Sequence, residues 1–390
     1  MMKNKSKLLF VEMSRNLYEG PARSAVQIIN SLDRSRYEPV PVFSLSDGEK
    51  NQLEEMIGVN VKTINMNRPT FRMSPGEVPV FVRDTRKSVS EICSYARNTG
   101  PDIVHINSLI NLHAALSALK LHIPYVLNVR EMMTSKKLNR MYIKWICGKA
   151  ASVVAVSDAV KRRLVDMGVS PQKIEVVYNG TEIVEPDDEK IEVLRKEFSV
   201  TQGPLIGIIG TIAELKGQYV MIEALSGLVK DFPGIKLFIV GSKFPDVYSD
   251  IYMREMLRLI EKCGIGNNVV FTGARNDVAQ LMHMLDVVVQ PSVFYDSLPR
   301  SVMEAMASGK PVVGSDIGGI PEMIIDGETG YIVEPRRPDR LEEAIRSLLS
   351  DSGKIIEMGR AAKERAEKHF SNTGQTLKLM EIYDRVLREA

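Results

Sequence analysis

Two carboxylates eight positions apart, Asp296 and Glu304, bracket a stretch reading Asp-Ser-Leu-Pro-Arg-Ser-Val-Met-Glu. It follows an apolar run at 287–289, closed by Gln290-Pro291-Ser292, and enters a helical pattern of small and apolar residues that stops at Gly309. A strand end, a short loop and a helix start in succession suit an anion. The first N–H groups of a helix lack intrahelical partners, and the helix dipole is positive there. Pro299 has no N–H to give, so the amides of Arg300 and Ser301 are the expected donors. Phosphate alone does not call for acids on both sides. Carboxylates accept hydrogen bonds from sugar hydroxyls, and a phosphate site flanked by such acceptors suggests a nucleotide-sugar. A second segment, Gly210-Thr-Ile-Ala-Glu-Leu-Lys216-Gly217, follows an apolar run at 205–209. Its lysine can set an ammonium against a diphosphate and neutralise a leaving group. On position alone, a solvent-facing lysine in a strand-to-helix loop is the commoner arrangement.

These segments resemble the retaining glycosyltransferases of family 4, whose signature is two acids separated by seven residues and whose fold is the two-domain GT-B. The resemblance implies that Glu304 holds the nucleotide ribose and Asp296 contacts hydroxyls of the donor sugar, with Lys216 completing the catalytic group. Asp296 stands where the family usually has Glu. The Gly210–Gly217 loop is similar to the family's diphosphate loop, with Thr211 at a position where arginine is common, so Arg300 and Arg275 become candidates for the missing phosphate contact. In Phe271-Thr-Gly273-Ala-Arg275-Asn-Asp277 the resemblance implies a loop beside the nucleotide base, read through backbone groups. Asp277 is the expected cap of the following helix. Leu298 is expected to pack under base or ribose. Gly20, in Gly20-Pro21-Ala-Arg23-Ser24, matches the glycine-containing loop that approaches donor phosphate. Asn107 stands where many relatives have a histidine near the reacting sugar, and it is read as a hydroxyl ligand, not a base. His105, set between Val104 and Ile106, reads as a sheet histidine. Asn128, Arg130 and Glu131, at the end of an apolar run, are candidate acceptor ligands. By family analogy attack is on the front face, with the departing phosphate taking the acceptor proton. No cofactor is expected. The chain has no Asp-x-Asp triplet of the kind that single-sheet glycosyltransferases use for a divalent metal, and no metal is expected.

The elements that must position these residues are short apolar runs alternating with helical patterns, which indicates an α/β fold with doubly wound parallel sheets. The expected strands are 8–11, 40–43, 103–106, 125–129, 153–156 and 174–177, then 205–209, 236–240, 269–271, 287–289, 311–313 and 330–333. They form two Rossmann-like sets. The expected domains are an acceptor-binding domain at 1–182, an acidic, proline-containing linker at 183–200 and a nucleotide-sugar-binding domain at 201–371. From the resemblance, a final helix at 372–390 returns to the first domain, and the two sheets face each other across a cleft. Ligands of such sheets bind at the carboxyl ends of the strands.

Composition sets the outer limits. A chain of 390 residues, 44% apolar and 26% charged, is long enough for two cores. Cys93, Cys147 and Cys263 form no CxxC pair, and the five histidines form no ligand cluster, so neither disulfides nor zinc are expected. The basic start at 1–12 is too short for a signal sequence, and no run reaches the ~18 apolar residues of a membrane span. The expected location is cytoplasmic, with peripheral contact at the inner membrane face. The net charge of +2 conceals an imbalance: residues 1–182 carry 26 Lys/Arg against 17 Asp/Glu. No nucleic-acid motif accompanies that charge, so an anionic membrane or a lipid-phosphate acceptor is the better match. The basic stretch Lys136–Lys149, with Met141, Tyr142, Trp145 and Ile146 interleaved, reads either as a bilayer-facing helix or, slightly favoured, as a core-packed helix with a solvated basic face. The functional expectation is sugar transfer from a nucleotide-diphosphate sugar, UDP-linked before GDP-linked, to a glycan or lipid-linked acceptor in surface polysaccharide or glycolipid synthesis. A nucleotide-sugar epimerase and a degenerate nucleotide-sugar-binding regulatory subunit are the alternatives.

Overall fold

The computed structural model describes residues 5–17, 19–68, 74, 76–134, 136–200 and 202–389. Residues 1–4, Thr201 at the expected domain start and Ala390 at the expected chain end lie outside them. The chain divides into two compact units, Met1–Gly180 with Asn372–Ala390, and Thr181–Ser371.

The first unit holds β1 (Ser6–Glu12), β2 (Tyr37–Phe43), β3 (Lys62–Thr63), β4 (Ile103–Ile106), β5 (Tyr125–Val129), β6 (Ser152–Ala155) and β7 (Ile174–Val176), in the order β3-β2-β1-β4-β5-β6-β7. The second holds β8 (Leu205–Ile209), β9 (Lys236–Val240), β10 (Val269–Gly273), β11 (Val287–Gln290), β12 (Val312–Ser315) and β13 (Gly330–Val333), in the order β10-β9-β8-β11-β12-β13. Every strand pairing is parallel. Strands covered on both faces read as unbroken apolar runs, which is why the central ones stand out in the sequence. β1 and β2 begin earlier than their apolar runs, because the ladder continues through Ser6↔Tyr37 and Lys7↔Glu38.

In each sheet the strand order reverses beside the first strand, between β1 and β4 and between β8 and β11. The loops leaving these neighbours diverge, which opens room for a ligand at their carboxyl ends. Both candidate sites lie there.

Each unit has its own core. Leu8, Phe10, Ile28, Phe43 and Tyr383 are buried together in the first, and Ile206, Met221, Leu237, Ile239 and Ile345 in the second. Each such side chain contributes about 1.5–3 kcal/mol of transfer free energy. The helix Asn372–Glu389 brings Tyr383 into the first core, with its ring edge-on to Tyr37 at 6.0 Å. Its Arg385 pairs with Glu175 at the far edge of that sheet.

The stretch 183–200 holds a helix, Asp188–Glu197, capped by Asp187, whose side chain accepts from the Lys190 amide at 3.1 Å. Only Leu194 of this helix is buried. It packs against the helix Val278–Met284 within the second unit.

Candidate functional site

Three loops of the second unit converge on Asp296. After β8 the chain turns at Gly210 and passes through a short 3-10 turn, Glu214–Lys216, to Gly217. Gly217 adopts φ +71, and a Cβ there would lie 1.8 Å from the carbonyl oxygen of Pro291. Only glycine fits, so this loop rests against the turn that follows β11. The Val293 amide completes the seam by donating to Leu215 O at 3.0 Å. From the other side, Gly318 (φ +63) would bring a Cβ within 2.0 Å of Asp296 O, which also accepts from the Gly319 amide at 2.9 Å.

The result is a close ion pair. Lys216 Nζ lies 2.5 Å from Asp296 Oδ2, with side-chain exposures of 19% and 12%. Four residues on, the helix Arg300–Ala307 begins, and its N-cap residue Pro299 offers no side-chain cap. Ser301 donates from its hydroxyl to Gln290 Oε1 at 2.8 Å, and Gln290 Nε2 donates to Ser292 Oγ at 2.8 Å. That buried chain fixes the helix start to the end of β11. On the same helix Arg300 pairs with Glu304 at 3.2 Å, one turn apart. Leu298 is buried beneath this segment. The Thr211 carbonyl accepts from Gln218 Nε2 at 3.0 Å, which steadies the loop. Lys216 and Arg300, two of the cations expected to meet phosphate, are thus each held by an acid expected to meet hydroxyls. Removing one partner of such a partly buried pair leaves the other charge uncompensated. Next to the loop lies a cavity of about 620 Å³ lined by Glu214, Gly217, Tyr219, Tyr252, Val293 and Arg336, a volume in the range of small-molecule sites. None of the four paired charges lines it.

Arg275 does not join this cluster of charges. Its guanidinium is bidentate to Glu197 (2.6 and 2.9 Å) and to Asp277 (2.7 Å for both bonds) and stacks over Phe198 at 5.1 Å. The two carboxylates, Asp277 first, raise its pKa, and Arg275 in turn lowers that of Asp277. Asp277 occupies the N-cap position but makes no side-chain cap, because its oxygens are turned to Arg275. Gly273, at the end of β10, accepts from the Gly241 amide at 2.9 Å.

The corresponding end of the first sheet is built differently. Glu12, the last residue of β1, is buried, and its carboxylate accepts from the Ser14 amide (2.8 Å), the Ser14 hydroxyl (2.9 Å) and Asn107 Nδ2 (2.6 Å). Asn107 Nδ2 also donates to the carbonyl of Pro21, beside Gly20 at the start of the helix Gly20–Ser31, at 2.9 Å. Asn107 Oδ1 accepts from Asn128 Nδ2 at 3.1 Å. The buried Asn128 Oδ1 finds no donor among the described residues. Arg130 donates to Ser24 Oγ and Asn179 Oδ1, both at 2.8 Å. Glu131 is taken up by the Ser108 hydroxyl and by the amides of Leu109 (3.0 Å) and Arg130 (3.2 Å). Asn107, Asn128, Arg130 and Glu131 therefore do gather at the carboxyl ends of neighbouring strands, but the residue at the centre is Glu12, which sequence reasoning missed. Desolvation raises its pKa despite the donors around it and the nearby Arg130 charge. His105 lies behind, with Nδ1 2.7 Å from the Tyr383 hydroxyl, and burial pushes its pKa down to about 3.

Two family models match the chain: "Glycosyl transferases group 1" over residues 189–369 and "Glycosyltransferase Family 4" over residues 18–184. Spore coat protein SA of Bacillus subtilis is 26% identical over 386 residues, covering 94% of this chain and 95% of that protein. A D-inositol 3-phosphate glycosyltransferase of Corynebacterium kroppenstedtii is 30% identical over 251 residues, covering 63% of this chain and 55% of that enzyme. The chain thus matches little more than half the length of this second relative. Among solved structures, Anabaena HepE in complex with UDP superposes with a TM-score of 0.82 at 22% identity, covering 97% of this chain and all of that one. The two-sheet architecture is that of the GT-B glycosyltransferases.

Proposed function

Starting from the fact that this chain belongs to the group 1, family 4 glycosyltransferases, we propose that it moves a sugar from a nucleotide-diphosphate sugar, UDP-linked before GDP-linked, to a glycan or lipid-linked acceptor with retention of configuration. The observation that carries this reading is the Lys216–Asp296 pair beside the start of the helix Arg300–Ala307. The UDP bound by HepE supports the choice of nucleotide.

Lys216 and the amides of Arg300 and Ser301 take the donor diphosphate. Asp296, released from Lys216, accepts hydrogen bonds from the sugar hydroxyls, and Glu304 accepts those of the ribose. The glycosidic C1–O bond to the β-phosphate breaks, and the charge that develops on the diphosphate is met by fixed donors that need no reorganisation. The acceptor oxygen bonds to C1 on the same face, and its proton passes to the departing phosphate. No separate protein base is needed, and the positive charge at the leaving group comes from the chain itself. On the acceptor side, which the resemblance assigns to the first unit, Asn128 Oδ1 is the amide atom of the Asn107–Asn128 pair left without a donor among the described residues.

The reaction is tested by supplying UDP- and GDP-sugars with glycan and polyprenyl-phosphate-linked acceptors, following nucleotide release and reading the product's anomeric configuration by NMR. Acceptor-dependent release from a UDP-sugar with retained configuration is expected. Interconversion of free nucleotide-sugars without acceptor would establish an epimerase instead. Nucleotide binding without any turnover would identify a binding subunit, as the departures at Thr211, Asn107 and Asp296 would then explain.

A further inference from the structure

The helix Lys137–Lys149 turns its inner face, Asn139, Ile143, Ile146 and Cys147, into the first unit. At roughly 100° per residue, Met141 then points almost directly away from that face, with Leu138 and Trp145 beside it. All three are open to solvent, at 60%, 71% and 36% respectively. Such a stripe is what a helix ordinarily hides. Lys137, Arg140 and Lys144 run along one flank, and Lys149 lies on the other. Lys136 precedes the helix, and no acid occurs anywhere in 132–157. At its carboxyl end Lys173 donates to the carbonyls of Gly148 (2.7 Å) and Ala150 (2.8 Å), adding a further cation and closing the helix end.

From this arrangement we infer that the outer face of the helix Lys137–Lys149 is a docking surface for an anionic lipid bilayer. The three apolar side chains enter the boundary between headgroups and acyl chains, while the flanking lysines and Arg140 extend their stems outward to place charge among the phosphates. A core-packed helix with a merely solvated basic face would not expose the apolar stripe in the midst of its charges. Charge complementarity selects the occupant, because a zwitterionic surface would leave five cations in this stretch without counter-charges. An acceptor carried on a lipid would be met at that surface.

Trp145 is the only tryptophan of the chain, so its emission reports on this face alone. The full-length protein is titrated with vesicles of phosphatidylglycerol mixed into phosphatidylcholine, and with vesicles of phosphatidylcholine alone. Co-sedimentation with the anionic vesicles is expected, accompanied by a blue shift of the Trp145 emission that added salt reverses. Leu138→Ser with Met141→Ser, and separately Lys137→Glu with Lys144→Glu, are expected to weaken that binding by about tenfold or more. Their thermal midpoints should stay at the wild-type value, since the altered side chains are exposed. Failure to bind anionic vesicles would overturn the inference, as would binding that leaves the Trp145 emission unmoved. A blue shift that grows with protein concentration in the absence of lipid would also overturn it, in favour of a contact between copies. Bilayer binding and nucleotide binding are read out separately, so either can fail while the other holds.

Discussion

The two sheets end at equivalent places with opposite chemistry. At the second switch point, opposite charges are paired side by side, Lys216 with Asp296 and Arg300 with Glu304, and both pairs are partly open to solvent. At the first, one carboxylate, Glu12, is buried and satisfied by amide and hydroxyl donors that link it to Asn107 and Asn128. Ion pairs near a surface hold little net energy and can trade partners with an incoming anion and its hydroxyls. A buried amide network is costly to break, and it specifies one geometry. The same topology thus ends in paired opposite charges in one unit and in a fixed, buried amide network in the other.

Lys216→Ala should expose this contrast most sharply. It removes the ammonium at the leaving group and leaves Asp296 without its partner, so kcat/KM should fall by about 10²–10³-fold, while the first unit melts as before. Steady-state kinetics with the preferred donor measures this. An unchanged kcat/KM would move the phosphate site elsewhere.

Acid should then separate the units through stability. Burial holds His105 at about 3 and His113 at about 4, both below the usual histidine value of 6.5. Below pH 6.5 the unfolded chain takes up protons that the folded first unit refuses, so stability present above that pH is lost as the pH falls. The loss is about 2 kcal/mol for each histidine between pH 6.5 and 5. Glu12 has the opposite sign: its raised pKa means stability is lost as pH rises above 4.5, which offsets part of the histidine effect. Denaturant melts followed by Trp145 emission should show a lower midpoint at pH 5 than at pH 7, and His113→Leu should flatten that dependence.

Glu12→Gln comes next. It preserves the volume but puts two N–H groups among donors, and should cost the first unit about 1–3 kcal/mol in the same melt. Nucleotide affinity should not change. Loss of nucleotide binding with an intact melt would mean that the two ends form a single functional network. Arg275→Ala should have the smallest effect. Its partners Glu197 and Asp277 are about two-fifths exposed, so the stability loss should stay near 1 kcal/mol. Nucleotide affinity, read by calorimetry, should stay within about threefold.

The charged site of the second unit was legible in the sequence because its parts are close together and chemically loud. Asp296, Pro299, Arg300 and Glu304 fall within nine residues, and the glycines that let three loops meet are visible as glycines. The corresponding cluster of the first unit was only half legible. Asn107, Asn128, Arg130 and Glu131 stood at strand ends, but Glu12 looked like the residue that merely closed an apolar run. Its partner Asn107 is 95 residues away, and only the β1–β4 register brings the two together. The signal that could have found it was an acid ending the first strand of a doubly wound sheet. The partners of Arg275 were hidden for a similar reason, since Glu197 lies 78 residues upstream, in a stretch whose acids and proline made it read as a linker. The strand β3, two residues long, has no periodicity to detect. The basic helix was recognised as amphipathic, but which of its apolar residues face outward depends on what packs beneath it.

Calorimetric titration of UDP into the wild type, Lys216→Ala, Glu304→Ala and Glu12→Gln tests the central assignment most directly. Binding that Lys216→Ala and Glu304→Ala each weaken by about tenfold or more, and that Glu12→Gln leaves intact, is the predicted result. Equal binding by all four proteins, or binding lost only with Glu12→Gln, would contradict a donor site at the second switch point.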